Sequence, residues 1–357
     1  MNDSIGPEIL TRWLEKLAVA RLELKVQRFE ERLTELALEQ RFTLNEPPPR
    51  YDEIPFGLNP DELPSPIPTL AQHELTRVSF WEQLLYEGIM EALGYSKNQQ
   101  PFLRLAQCLR LDVLKEFSGS VSSLDASDLE AILFNTAGLL PSLKDITGRE
   151  SKVFVHSLKH AWKNVRTYYH GPILSSADWQ FFRLRPENFP TIRLAGAARM
   201  MIKLLQGGFF KSIVHAVKDE ASSPRDRYCK LEEQFIVPAG GFWLTHYSFH
   251  DRSSTQVHTL IGKSRAKEIM LNVIIPLCLL YARMFKIREM REYALVLYNA
   301  CPPSSPNTIT RTIDTQLIKG RLPRSSAMIQ QGSLQLYKFF CVEERCTECA
   351  VGKTVFH

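Results

Sequence analysis

Three of the seven cysteines lie within nine positions near the end of the sequence: Cys341, Cys346 and Cys349. Thiolates bind zinc and iron–sulfur clusters, and the Cys-x2-Cys spacing of the second pair lets one turn present two sulfurs to one metal. Cys341 can join that pair only if the preceding helix breaks near 343–345. We therefore predict a zinc or iron–sulfur site in which the three sulfurs converge to about 4 Å from one another.

Such a site needs a fourth ligand, and the candidates are Cys301, Cys108 or a histidine. Two other interpretations stay open. Cys346 and Cys349 also match the spacing of a redox dithiol, although redox-active pairs normally open a helix after a strand, which this terminus lacks. Alternatively, the three thiols are reduced and simply pack against a helical core.

A second group with potential chemistry is the segment DWQFFRLRPENFPTIRLAGAAR, residues 178–199. Guanidinium groups bind phosphate in bidentate fashion, and a helix capped by Thr191 would add free backbone amides. We predict an anion site for nucleic acid or another phosphate-containing ligand, made by Arg183, Arg185, Asn188, Arg193 and Arg199. The alternative is that Arg185 and Arg193 pair with internal carboxylates or carbonyls and fix a turn between helices.

Other motifs give little support to catalysis. Gly262-Lys263-Ser264 and Gly352-Lys353-Thr354 resemble the end of a phosphate-binding loop, but the glycine required earlier is Val257 in one case and Thr347 in the other. No serine-hydrolase elbow or zinc-protease helix motif occurs. The sequence therefore leaves open whether the protein is an enzyme.

Three histidines, His156, His160 and His170, lie close together in the sequence, and the first two would share a helix face. No carboxylate pattern accompanies them. Roles at the surface or at the edge of the core are therefore favoured over metal binding.

The elements that must position these groups are predicted to be helices, so the fold class is all-α, with short strands near 235–250 at most. Residues 7–41 form a long amphipathic helix, with apolar side chains at helical spacing at Leu10, Trp13, Leu14, Leu17 and Leu24. Capping boxes at Ser79 with Glu82, and at Ser127 with Glu130, predict two further helix starts. Gly94 is placed to follow the end of the first of these helices.

Proline content divides the chain. Eight prolines within 47–68 exclude a continuous helix and predict a linker or a wrapping loop. We therefore predict an N-terminal helix over 1–46, the linker over 47–68, a helical core domain over 69–335 and a cysteine-rich metal-site candidate over 336–357.

Composition bounds the function classes. The 357 residues carry 44 Lys and Arg against 39 Asp and Glu, and a net charge of +5 does not imply nucleic-acid binding without local clustering. The N-terminus lacks a secretory signal, so a cytoplasmic location is expected. The longest apolar run, 269–285, contains Asn272 and Pro276 and predicts a buried helix or helix pair rather than a membrane span.

Several stretches resemble a bacterial family defined by a domain of unknown function (domain of unknown function 2851). They are RWLEKLAVARLELK, LLYEGIMEALGYSKNQQPFLRLA, FNTAGLLP, RLRPENFPTIRLA, NVIIP and the terminal cysteine motif. The most specific are the RLRPENFPTIRLA block and the cysteine end. Longer members of that family carry an N-terminal region with acidic and Glu-x-His patterns similar to those of restriction-type nucleases. The resemblance implies that this chain begins after that region and that a partner protein could supply it.

Two function classes follow. The first is an accessory or partial component of nucleic-acid processing, supported by the arginine block, the cysteines and the resemblance. The second is a non-enzymatic helical scaffold that binds a partner, supported by the missing catalytic motifs and the long amphipathic helix.

Overall fold

Helix α1 spans Pro7–Thr43 and confirms the amphipathic helix predicted near the N-terminus. Leu10, Leu14 and Leu17 are buried, whereas Leu24, predicted for the same face, is 51% exposed. Pro7 occupies the first turn, where its missing N–H removes no intrahelical hydrogen bond. The predicted face is therefore right for the first three turns and wrong beyond them.

The computed structural model describes residues 6–43, 78–120, 124–322 and 326–356. This part is mostly helical, and the predicted all-α class is confirmed. After α1 the helices are α2 (Val78–Leu93), α3 (Tyr95–Cys108), α4 (Leu111–Ser120), α5 (Ala126–Thr136), α6 (Arg149–Val165), α7 (Pro190–Gln206), α8 (Phe209–Val217), α9 (Pro224–Glu233), α10 (Lys263–Ile269), α11 (Ile275–Met284), α12 (Arg288–Ala300), α13 (Thr308–Ile313), α14 (Ala327–Leu336) and α15 (Ala350–Phe356). The linker predicted over 47–68 lies outside the described residues.

Two short strands, β1 (Val237–Pro238) and β2 (Thr259–Ile261), pair antiparallel. Val237 lies opposite Ile261, and Pro238 lies opposite Thr259. The first strand falls where short strands are predicted, and its partner lies beyond that range.

The chain divides into two compact units, named here for their place in the sequence. The terminal unit comprises residues 1–29, 215–232 and 270–357, and the middle unit comprises 30–214 and 233–269, with the described residues of each. The segment boundaries predicted from the sequence stay a prediction.

In the middle unit, α7 is buried along most of its length. Gly196 allows its close approach to β2, because a Cβ there would lie 2.7 Å from the Ile261 side chain. A larger residue at position 196 would therefore push the helix away from the strand pair. This contact holds α7 and β2 together. The anion-site residues described below lie on these two elements or next to them.

In the terminal unit, α14 packs closely against α1 at Gly332. A Cβ added to Gly332 would lie 2.0 Å from the carbonyl oxygen of Leu14. Around this contact, Leu10, Leu17 and Phe340 belong to one cluster of buried apolar side chains. The helix that leads to the cysteines is therefore anchored against α1.

The apolar run predicted as a buried helix or helix pair is confirmed. It forms a π-helical turn, Met270–Ile274, followed directly by α11, with Pro276 in the first turn of that helix. Within the described ranges, no helix is both long and apolar enough to cross a membrane.

Two predicted helix caps are wrong. Asp125, not Ser127, caps α5, and Asp128 completes the capping box because its carboxylate accepts from the Asp125 backbone N–H. The cap of α7 is Phe189, with Pro190 in the first turn, while the Thr191 hydroxyl donates to the Tyr247 carbonyl oxygen at 2.5 Å. In both cases the observed N-cap residue lies two positions before the predicted one.

Gly94 directly follows α2, as predicted from the sequence. The Ser79 side chain, predicted to cap the same helix, lies outside the described part of the structure. Glu82, its predicted partner, is buried and accepts from the Phe210 backbone N–H at 2.9 Å.

Candidate functional site

The arginine loop, residues 179–189, is held at its first end by buried groups. Asn98 is buried and bonds Gln180 twice: its Nδ2 donates to the carbonyl oxygen at 2.9 Å, and its Oδ1 accepts from the backbone N–H at 2.8 Å. Trp179 Nε1 donates to the Ala137 carbonyl oxygen at 2.8 Å. The loop is therefore fixed by side chains rather than by a strand ladder.

The far end of the loop is tied by Asn188 and Arg193. A short 3-10 turn, Pro186–Asn188, precedes α7. Asn188 Oδ1 accepts from Arg193 Nη2 at 3.0 Å. The structure thus brings together two of the five predicted anion-site residues.

Arg193 is only 7% exposed, and its Nη1 donates to the Leu260 carbonyl oxygen at 2.6 Å. This contact matches the architectural alternative, in which an arginine bonds an internal carbonyl. Desolvation and, to a smaller extent, the charge of Arg265 lower the pKa of Arg193 to about 9, and Glu187 opposes the change. Arg193 therefore stays protonated at neutral pH, although burial disfavours its charge.

Arg265 is a residue that the sequence analysis missed. It is 6% exposed, donates from Nη1 to the Ala92 carbonyl oxygen at 3.2 Å, and stacks over Tyr95 at 4.6 Å from the ring centroid. Among the described residues, Nε of Arg265 and Nε of Arg193 have no hydrogen-bond partner. Arg265 follows the dismissed Gly262-Lys263-Ser264 motif, and no local pattern distinguishes it from a surface arginine.

The middle of the loop faces solvent. Phe182 is 72% exposed, Arg183 and Arg185 are exposed, and the Arg183 guanidinium lies 5.0 Å from the Phe182 ring centroid. Neither arginine side chain forms a hydrogen bond or ion pair with any described residue. Lys97 Nζ donates to the Phe182 carbonyl oxygen at 2.8 Å and holds this stretch in place. Two free cations and an exposed aromatic ring therefore sit on a fixed backbone.

Arg199 belongs to a different cluster. Its Nη1 donates to Glu130 Oε1 at 2.7 Å, and Glu130 Oε2 accepts from Trp243 Nε1 at 3.1 Å. Desolvation raises the pKa of Glu130, although Trp243 and Arg199 both oppose the rise. Because its charge is already paired, Arg199 has little capacity left for an external anion.

The cysteine turn, residues 341–349, follows α14. A π-helical turn, Tyr337–Cys341, ends the helix, and Glu344 adopts a left-handed conformation at φ 53°. The break that the spacing requires is therefore present. Cys341 and Cys346 are exposed, whereas Cys349 is buried.

The three thiols lie near enough to influence one another. Desolvation raises the pKa of Cys341, and the neighbouring Cys349 and Cys346 raise it further. However, no group of three or more His, Cys, Asp or Glu side chains in the described residues is arranged to hold a metal ion. The zinc or iron–sulfur site stays a prediction.

The candidate fourth ligands are distributed between the units. Cys301, in the terminal unit with the cysteine turn, is buried and donates from Sγ to the Leu297 carbonyl oxygen at 3.4 Å. Cys108 belongs to the middle unit. His156, His160 and His170 are all exposed, which agrees with the surface roles favoured for them.

The profile of a family described as "Protein of unknown function (DUF2851)" matches residues 69–307. The chain belongs to the DUF2851 family. No curated protein and no solved structure gives a significant match. The DUF2851 match includes the whole arginine loop and Arg265, and it ends before the cysteine turn.

Proposed function

We propose that this DUF2851 protein binds phosphate groups of nucleic acid at the arginine loop and serves as an accessory component of nucleic-acid processing. One observation supports this best: Arg183 and Arg185 are exposed and unpaired on a loop whose two ends are tied by buried groups. Exposed arginines are common on protein surfaces, but these two lie on a backbone that buried groups hold in place.

The chemistry of the loop suits phosphate. A guanidinium group presents two parallel N–H donors to a phosphate, and an adjacent aromatic ring gives a base a face to stack on. Phe182 and Arg183 supply this combination side by side. Arg193 adds positive potential to the same region, because its charge has no ion pair in the described structure.

The fixed backbone lowers the cost of binding. A flexible loop would lose conformational freedom when it met the ligand, whereas this loop has already been ordered during folding. The ties made by Asn98 and Lys97 leave only the side chains of Arg183 and Arg185 to be immobilised. The loop therefore presents two cations at a low entropic cost, and this supports the proposal.

The test is fluorescence anisotropy with labelled oligonucleotides at several salt concentrations. The double variant Arg183→Gln with Arg185→Gln should weaken binding and lower the salt slope by roughly 0.7 for each phosphate of the single strand that is no longer neutralised. The matched control is Arg288→Gln with Arg291→Gln, which removes two exposed charges from α12. Equal affinities and equal slopes for the two double variants would refute the proposal.

We infer a second candidate function, the binding of zinc or an iron–sulfur cluster by Cys341, Cys346 and Cys349. The supporting observation is that all three cysteines lie on one turn with a left-handed break at Glu344, where desolvation, Cys349 and Cys346 together raise the pKa of Cys341. Such a site would have a structural role: the metal would hold the cysteine turn together and would not bind the anion.

This second proposal is tested by purification without oxygen, followed by metal analysis and an optical spectrum. Zinc or iron should be present at a fixed ratio to protein and should be lost in Cys346→Ser with Cys349→Ser. Cys229→Ser, which changes a partly exposed cysteine elsewhere, should retain the metal. A wild-type protein containing neither metal would refute this second proposal.

A further inference from the structure

Helix α6 has one apolar face and one cationic face. Val155, Leu158, Trp162 and Val165 are buried in the middle unit. The opposite side exposes Lys152, His156, His160 and Lys163, with Lys159 partly exposed beside them and Arg166 exposed just after the helix ends. From Lys152 to Lys163 this face runs for about 16 Å at the helical rise per residue.

The cations of this face are not neutralised within the protein. Side chains of Lys152, Lys159, Lys163 and Arg166 form no hydrogen bond or ion pair with any residue in the described ranges. The only acidic residue of the helix is Glu150, in its first turn, where a carboxylate complements the helix dipole. A surface whose positive charges have no internal partners favours the binding of a polyanion.

A shallow aromatic cleft, wide open to solvent, lies at the first end of the same helix. It has a volume of about 540 Å³ and is lined by Arg149, Glu150, Val153, Phe154, Ser157 and Phe242. The Phe154 ring stacks on Phe242 with centroids 4.2 Å apart and planes at 15°. His246 stacks on Phe242 in turn, at 4.0 Å and 12°, so both faces of Phe242 are covered and the partly exposed Phe154 is the ring left to contact a ligand.

We propose that α6 and this cleft bind single-stranded nucleic acid, with phosphates along the cationic face and one base in the cleft. Sequence-tolerant single-strand sites combine a positive track for the backbone with aromatic rings on which bases stack. Arg149 and Ser157 supply polar groups at the cleft, and Glu150 can accept from a base amino group.

The structure favours this ligand over other polyanions. An anionic membrane would attract the same lysines, but its headgroups offer no planar ring to the aromatic cleft. An acidic peptide would satisfy the lysines and leave the aromatic cleft without a planar partner. Duplex nucleic acid keeps its bases stacked inside, so no base would be free to enter the cleft.

The α6 surface and the arginine loop consist of different residues, so each can bind without the other. Each surface has its own pair of charge-removing variants, and each pair can be measured with the same oligonucleotide. Weaker binding by the α6 variants therefore supports a role for α6 even if Arg183 and Arg185 contribute nothing.

The experiment measures the binding of a labelled single-stranded oligonucleotide by fluorescence anisotropy across a salt series. Lys152→Gln with Lys163→Gln should lower the salt slope by about 1.4, because two phosphates are no longer neutralised, and weaken binding about tenfold or more at low salt. The matched control is Lys211→Gln with Lys218→Gln, two exposed lysines of the α8 region. The control should keep both the wild-type slope and the wild-type affinity.

A second variant tests the cleft. Val153 is 65% exposed at the cleft, so Val153→Glu adds a negative charge there without disturbing a buried position. It should weaken binding of the oligonucleotide more than binding of an inorganic polyphosphate, which has no base. The inference is overturned if the lysine variant behaves like its control, if Val153→Glu affects both ligands equally, or if anionic vesicles or polyglutamate compete as well as the oligonucleotide.

Discussion

The arginine loop is tied at both ends by buried side chains, whereas the cysteine turn lies beyond the last long helix with two of its three thiols exposed. Damage to the loop's supports should therefore reach the core of the middle unit. Damage to the cysteine turn should have a smaller effect, because two of its thiols are exposed and Cys349 alone among the three belongs to the buried cluster around Leu10 and Leu17. The comparison shows that residues with suitable chemistry make a convincing site only where the surrounding structure holds their backbone in place.

The largest effect is expected from Arg193→Ala. This change removes the donors to the Leu260 carbonyl oxygen and to Asn188 and leaves a cavity beside α7. Because the Leu260 carbonyl oxygen loses its buried partner and a cavity remains, we expect a loss of about 3–5 kcal/mol in the free energy of unfolding. Urea denaturation measures it, and the exposed Arg185→Ala should cost under about 0.5 kcal/mol. Similar losses for the two variants would show that Arg193 does not support the loop.

Asn98→Ala should have the next largest effect, about 2–3 kcal/mol, because it leaves both backbone groups of Gln180 without their partners. Asn98→Asp sharpens the test. An aspartate can still accept from the Gln180 N–H but cannot donate to its carbonyl oxygen when ionised. If Asn98→Asp were as stable as wild type by thermal unfolding, the amide would not be acting as a two-sided clamp.

The sequence predicts much of the helical fold and less of the arginine site. Helical spacing identifies α1 because its apolar face recurs every three to four residues, and Gly94 marks the end of α2. Cap positions shift because Asp125 competes with Ser127 at the start of α5. Competition of this kind is decided by backbone conformation, which residue type alone does not specify.

Burial explains why the site is harder to predict than the helices. Arg193 and Arg183 are ten positions apart and identical in type, yet one is buried against Leu260 and the other is exposed. Arg265 is distant from Arg193 in the sequence, yet it lies close enough for its charge to lower the pKa of Arg193. Contacts between distant segments leave no local pattern, so an arginine-rich stretch cannot be divided into supporting and binding residues from its sequence.

Gly352→Ala tests the cysteine turn. A Cβ at this position would lie 2.0 Å from the Cys346 carbonyl oxygen, so α15 must shift away from the turn. We expect a local loss of about 1–2 kcal/mol and faster alkylation of the buried Cys349, measured by mass spectrometry of labelled peptides. Cys278, buried in α11, is the internal control and should keep its slow rate. Equal acceleration at Cys278 would mean that the turn is coupled to the whole terminal unit.

The smallest effect is expected from Arg183→Gly, and its sign is opposite to the others. Arg183 has φ 58°, a left-handed conformation that glycine adopts more easily than a residue with a Cβ. Because the Arg183 side chain makes no hydrogen bond or ion pair with the described residues, its removal costs little stability, and the variant should be more stable by about 0.5–1 kcal/mol. The same variant should bind oligonucleotide more weakly than wild type. A gain in thermal stability together with a decrease in affinity would indicate that the strained arginine is kept for binding. Unchanged affinity would instead make Arg183 a surface residue without a part in the proposed function.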